Sequence, residues 1–122
     1  MATDDTMCTI VPYFVVQDGK MDEFKALGDQ MVEKTQAESG ALFYGFSFNG
    51  NRAFCREGYT GAEGLLAHLK NVGELLGQAL AIAKLEVFEI HGPESELAKL
   101  RGPIKDMKLD PTYFVLEAGF RR

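Results

Sequence analysis

His68, Glu57, Arg56, Tyr44 and Tyr59 are the residues of this sequence best equipped for chemistry. A histidine with an unperturbed pKa of about 6.5 can take up and return a proton near neutral pH. His68 lies three residues after Leu65 and four before Val72, so it shares their face of a helix and points where they point. Two readings fit it: a catalytic proton acceptor or ligand-orienting group on a pocket wall, and a structural histidine bonded to a strand group such as Glu57. Glu57 stands mid-strand in apolar company, where an ionised carboxylate must be exposed, paired or hydrogen-bonded. Arg56 takes the opposite facing and shares its side with Phe54. A guanidinium there could hold an anionic ligand head, or pair at the surface with a helix acid. Tyr44 and Tyr59 could donate hydroxyls to a ligand, or pack in the core with the hydroxyl satisfied at the rim. His91 closes a strand before Gly92-Pro93, and two isolated histidines offer no metal-ligand spacing. No metal and no cofactor is expected. Cys8 and Cys55 read as buried strand thiols, since there is no CxxC and the cation beside Cys55 faces the other way.

The elements that must position these groups follow from periodicity. Met7 to Val16 is strand-like, and Pro12 within it removes an amide donor, which predicts an edge strand or a bulge. Lys20 to Glu38 has helical spacing through Met21, Phe24, Leu27, Met31 and Thr35, and Gly40 suits a left-handed helix end. Ala41 to Asn49 alternates, Leu42, Tyr44, Phe46 and Phe48 opposing Phe43, Gly45 and Ser47. Asn49-Gly50-Asn51 is hairpin chemistry, and Arg52 to Tyr59 returns. Thr60 to Glu63 matches a capping box, so a helix should start at once and break at Gly73, with a second piece over Glu74 to Ala83. Lys84 to His91 is a fourth strand. One or two helical turns at Glu94 to Leu100 and a fifth strand at Thr112 to Phe120 complete the chain. This order is the split βαβ, ferredoxin-like arrangement of class α+β, with both helices on one face of an antiparallel sheet. Residues 1–122 read as a single domain of this kind, and residues 93–122 as a C-terminal extension with an extra strand.

Eight of the nine Phe fall in predicted strands, and strands two and three carry apolar or aromatic residues on both faces. A sheet with one wet face would alternate more cleanly. An exposed aromatic face also exceeds what a soluble monomer tolerates, which predicts a homodimer packed sheet to sheet. Not all these rings fit one inner face, and the surplus suggests an apolar pocket. Glycines 45, 58, 61, 64, 73 and 77 leave room beside it. The expected partner is therefore a hydrophobic small molecule, fatty-acyl or aromatic. Its wall would come from Phe46, Phe48, Phe54 and Phe88, with His68, Arg56, Tyr44 or Tyr59 meeting a polar head.

Composition narrows the rest. With 122 residues, 46% hydrophobic and 25% charged, the chain is of single-domain size and globular character. A net charge of -5 argues against nucleic acid, and no apolar run approaches a bilayer-spanning length, so no membrane partner is expected. The polar, acidic start Met1 to Asp5 does not resemble a secretory signal, and a cytoplasmic location is expected. There is no P-loop, Rossmann fingerprint, HExxH or GxSxG.

The run from Cys55 to Leu69, with Glu57 and Tyr59 closing a strand and His68-Leu69 on the helix after it, resembles the signature of antibiotic-biosynthesis-monooxygenase-like proteins. The element order from about residue 7 to 92 resembles theirs as well. The resemblance implies a dimeric α+β barrel and a pocket in each protomer between sheet and helices; C-terminal strands of such proteins often reach across to the partner, so residues 93–122 are expected to cap the pocket or cross the dimer. Some such proteins oxidise polyphenols without metal or flavin, the substrate's own carbanion reacting with oxygen; others degrade haem. Active members commonly use a Trp near the substrate, and this chain has none. Haem-degrading relatives place a ligating His where this chain has Gly73, which argues against haem. The expected function is binding of a hydrophobic small molecule by a homodimeric barrel. The alternative is a cofactor-independent monooxygenase acting on an electron-rich aromatic.

Overall fold

The computed structural model of the chain describes residues 3–122. Its elements are β1 (Cys8–Val16), α1 (Met21–Gln36), β2 (Ala41–Asn49), β3 (Arg52–Tyr59), α2 (Ala62–Leu80), β4 (Ala83–Gly92), α3 (Glu94–Asp106) and β5 (Thr112–Val115). They form one five-stranded sheet in the order β2-β3-β1-β4-β5. The first four strands are antiparallel neighbours in the ferredoxin-like arrangement. β5 adds to the edge parallel to β4, so the sheet is mixed rather than wholly antiparallel. Parallel neighbours need a crossover connection, and α3 supplies it.

β1 is central, with β3 on one side and β4 on the other. Pro12 is accommodated by an irregular register at Tyr13/Phe14 and by a gap in the pairing with β3 over Val11 and Pro12. Of the two ways to tolerate a strand proline, the bulge is the one used.

Three local expectations yield to tertiary contacts. α2 runs through Gly73 without a break. A helical glycine costs about 1 kcal/mol against Ala, and burial of Leu65, Leu69, Val72, Leu75 and Ala79 on one face outweighs that. The Thr60–Glu63 capping box does not form. Gly61 is the N-cap, and the orphan Ala62 N–H donates instead to Glu96 Oε1 at 2.9 Å, a carboxylate brought from α3. α3 is 13 residues long and passes through Gly102 and Pro103. Its Leu97, Leu100 and Ile104 are fully buried, and this overrides the local break. The fifth strand is correspondingly short, and Phe120, expected within it, is 79% exposed outside it.

Gly40 does not take the left-handed conformation, since α1 closes on a right-handed Ala37. Its role is closeness: a Cβ on Gly40 would sit 2.8 Å from the Gly64 Cα, so the starts of β2 and α2 touch backbone to backbone. The core falls into two clusters. One gathers Phe14, Phe24, Met31 and Val72 under α1, and the other Ile10, Tyr59, Leu65 and Leu69 with the α3 leucines. No described helix is long and apolar enough to cross a membrane.

Candidate functional site

A cavity of about 40 Å³ lies at the seam of the two clusters. Phe14, Met31 and Val72 line it from one cluster and Ile10 and Leu69 from the other, with Pro12, Phe46 and Phe88 completing an apolar wall. Tyr44, Cys55, Glu57 and His68 bring the polar atoms. Glu57 and Cys55 point inward because both occupy the inner parity of β3, and Tyr44 and Phe46 that of β2. His68 descends onto them from α2, on the same stripe as Leu65 and Val72.

The His68 ring lies between two tyrosines, its centroid 5.0 Å from that of Tyr44 and 4.9 Å from that of Tyr59. Both of its nitrogens meet carboxyl groups. Nδ1 is 3.0 Å from Glu38 Oε2, and Nε2 is 3.6 Å from Glu57 Oε1. Glu38 is held in turn by Asn71, whose Nδ2 donates to Oε2 at 2.8 Å. A carboxylate can only accept, so Glu38 selects the tautomer with its proton on Nδ1 and leaves the Nε2 lone pair toward Glu57 and the cavity. The 3.6 Å separation exceeds a hydrogen bond, so Nε2 and the Glu57 carboxyl remain available to a third atom.

Burial sets the charges. Glu57 is fully enclosed, and loss of solvation pushes its pKa up to about 8 against the opposing hydrogen bond from the Tyr59 hydroxyl. That hydroxyl donates to Oε1 at 2.6 Å. Burial also lowers the His68 pKa, the Glu38 carboxylate opposing it. Near neutrality the site thus pairs a protonated carboxylic acid with a neutral imidazole, an acid and a base side by side. Burial raises the Cys55 thiol and the Tyr44 and Tyr59 hydroxyls far above their ordinary values, so they act as neutral groups.

The Glu57 shift predicts a stability profile. Its folded value is about 8 against 4.5 unperturbed, so between these pH values the folded chain holds the proton more tightly than the unfolded one. Stability from this group is complete below 4.5 and declines as pH rises toward 8. Glu57→Gln should flatten that decline in thermal melts across the window. The lowered His68 acts oppositely, losing stability as pH falls below 6.5, and this limb should persist in the variant. Parallel wild-type and variant profiles above pH 6.5 would contradict a buried protonated Glu57.

The cavity unites His68, Tyr44, Phe46 and Phe88 of the residues singled out from sequence. Tyr59 is fully buried beside them and serves through Glu57. Three others lie elsewhere. Arg56 faces the opposite side of the sheet, 5.5 Å over the Phe43 ring, and Phe54 stacks there on Tyr13 at 4.7 Å. Phe48 is exposed at the edge strand, with Lys25 over its ring. Strand parity sends Arg56 and Phe54 outward, and Phe48 sits beyond the reach of α2. Sequence reasoning missed Glu38 and Asn71. Glu38 continues the stripe of Phe24, Leu27, Met31 and Thr35, a signal that could have turned it inward, but only the packing of α1 beside α2 brings it to His68.

No family model matches the chain, and no curated protein matches it. Among solved structures it is similar to MupZ from Pseudomonas fluorescens, at 46% identity and a TM-score of 0.86 over 95% of this chain and 94% of that one. It also resembles a proposed antibiotic biosynthesis monooxygenase from Nitrosomonas europaea, at 16% identity and a TM-score of 0.67 over 75% and 94%. A third, from Chloroflexus aurantiacus and of the same description, has 17% identity and a TM-score of 0.59 over 71% and 92%. The last two share the fold, while the first shares nearly half its residues along almost the whole length. The chain belongs to the same family as MupZ, and its fold is that of the antibiotic-biosynthesis-monooxygenase-like proteins.

Proposed function

We propose that this chain takes up a hydrophobic small molecule between sheet and helices and moves protons on it through His68 and Glu57. The observation that carries this is the bare Nε2 of His68 facing the protonated Glu57 carboxyl inside an apolar cavity. In the step envisaged, Nε2 accepts a proton from the substrate. The Glu57 O–H donates to the oxygen on which charge develops, and the imidazolium is stabilised by Glu38. Apolar walls bind the substrate, and the two neutral groups act on it without the cost of burying a charge beforehand.

Anthrone, whose ring methylene is weakly acidic, is a suitable probe. Under anaerobic conditions in deuterium oxide the protein should accelerate exchange of that methylene, read by proton NMR. No acceleration, together with no small molecule in native mass spectra of purified protein, would overturn the reading. A second reading, cofactor-independent oxygenation of an electron-rich aromatic, begins with the same proton abstraction. It is favoured by the description of the two fold relatives as monooxygenases. Oxygen uptake with anthrone in air separates the two.

The proposal includes a homodimer. The outer sheet face carries the Tyr13–Phe54 stack, Phe43 under Arg56, and His91 stacked on Phe114. Covering these rings with a second copy would remove an apolar patch from water. It also includes a single domain over residues 1–122, since Leu109 of the C-terminal segment lines the same cavity as His68. A monomer by light scattering at micromolar concentration would overturn the dimer.

A further inference from the structure

Resting on that reading of the pocket, we infer that a long-chain anionic amphiphile binds in the groove that adjoins it. The chain lies along α2 over Gly73 and Gly77, and the anionic end meets Lys70. The inner cavity of about 40 Å³ admits only a few heavy atoms, far less than the several hundred Å³ of ordinary ligand sites. Beside it lies a groove of about 480 Å³ between α2 and the turn after α3, and Leu69, Leu76, Leu80 and Leu109 form the wall that the two spaces share.

The groove has the form of a track for an extended chain. Gly73 and Gly77 are about one helical turn apart on its floor, and a Cβ added to either would meet no atom within 4 Å. Any longer side chain there would occupy the groove itself. Leu80 at its rim is an exposed large hydrophobe. From Lys70 to Leu80 the helix rises about 15 Å, the span of a long alkyl chain.

Charge fixes the orientation. Lys70 is the single charged residue on the groove wall, in a chain of net charge -5. The inner end is flanked by the carboxyl groups of Glu38 and Glu57, and an anion buried there would be unpaired and costly. The head therefore stays outside at Lys70, and the chain runs from it along α2 toward Leu80, away from those carboxyl groups. Arg56, the other cation considered for this role, lies across the sheet.

Isothermal titration with hexanoate, dodecanoate and decan-1-ol tests this on the wild-type chain, Gly77→Leu and Lys70→Gln. Leucine is a better helix former than glycine and the site is open, so the first variant should fold at least as stably, as a thermal melt will show. Dodecanoate should bind more tightly than hexanoate and shift the methyl resonances of Leu76 and Leu80. Gly77→Leu should weaken dodecanoate by about tenfold or more, through two or more methylenes denied burial. Lys70→Gln should weaken dodecanoate by about two- to fivefold and leave decan-1-ol unchanged. Undetectable dodecanoate binding, equal binding by wild type and Gly77→Leu, or unmoved Leu76 and Leu80 resonances would overturn the inference. Anthrone exchange is read separately. Intact exchange with failed dodecanoate binding removes the groove alone, and failed exchange with intact, variant-sensitive binding removes the acid–base reading alone.

Discussion

His68→Gln should lower proton transfer on a bound substrate by about 10²–10⁴-fold, the range for losing a positioned general base. Glutamine keeps a polar group of similar reach but has no basic lone pair in this pH range, so binding should change far less than turnover. Glu57→Gln should cause a loss of the same order if the carboxylic acid donates a proton in the rate-limiting step. Glu38→Gln makes a finer test. It preserves an acceptor for Nδ1–H while removing the charge that raises the His68 pKa. The acid limb of the rate profile should move to lower pH, with a smaller loss at the plateau. Anthrone exchange measured against pH for the three variants reads all of this. Full exchange in His68→Gln would remove the histidine from the chemistry.

Leu97→Ala or Ile104→Ala should cost about 2–5 kcal/mol of stability, as large-to-small changes at fully buried positions do. Both side chains lie in the cluster with Ile10, Tyr59 and Leu65, so α3 is a wall of the core and not an appended flap. Exposed Lys105→Ala on the same helix should change stability by no more than about 0.5 kcal/mol. Denaturant unfolding of the three variants measures the contrast. If residues 94–106 were a loose extension, all three would behave alike. Because Leu109 lines the cavity, the destabilised variants should also bind dodecanoate less tightly at temperatures near their melting point.

How much of this was legible depends on the range of the forces involved. The alternations in β2 and β3 are period-two signals, and they correctly put Tyr44 with Phe46 in one strand and Cys55 with Glu57 in the other; only the sheet pairing brings those two faces together. The stripe Leu65, His68, Val72 likewise turned the histidine inward. Gly73 was misread as a break and the third helix as ending at Leu100, because a helical Gly or Pro costs about 1–3 kcal/mol locally and burial of whole apolar faces exceeds it. The capping box failed for a related reason. A carboxylate 34 residues away reached the Ala62 amide, and no window of local sequence contains it.

Residue types and spacing by themselves determined the α+β class, the ferredoxin-like element order, the family resemblance and the inward facing of His68. Those depend on side-chain parity and helical period, which neighbours in the chain decide. The tertiary structure alone decided that Glu38 grips the histidine, that Glu57 is sealed from water and holds its proton, and that Arg56 stands on the other side of the sheet from both. It also decided that α3 closes the core and opens a groove beside it. Each of these depends on desolvation or on contacts between elements far apart in sequence, and such quantities exist only once the chain is packed.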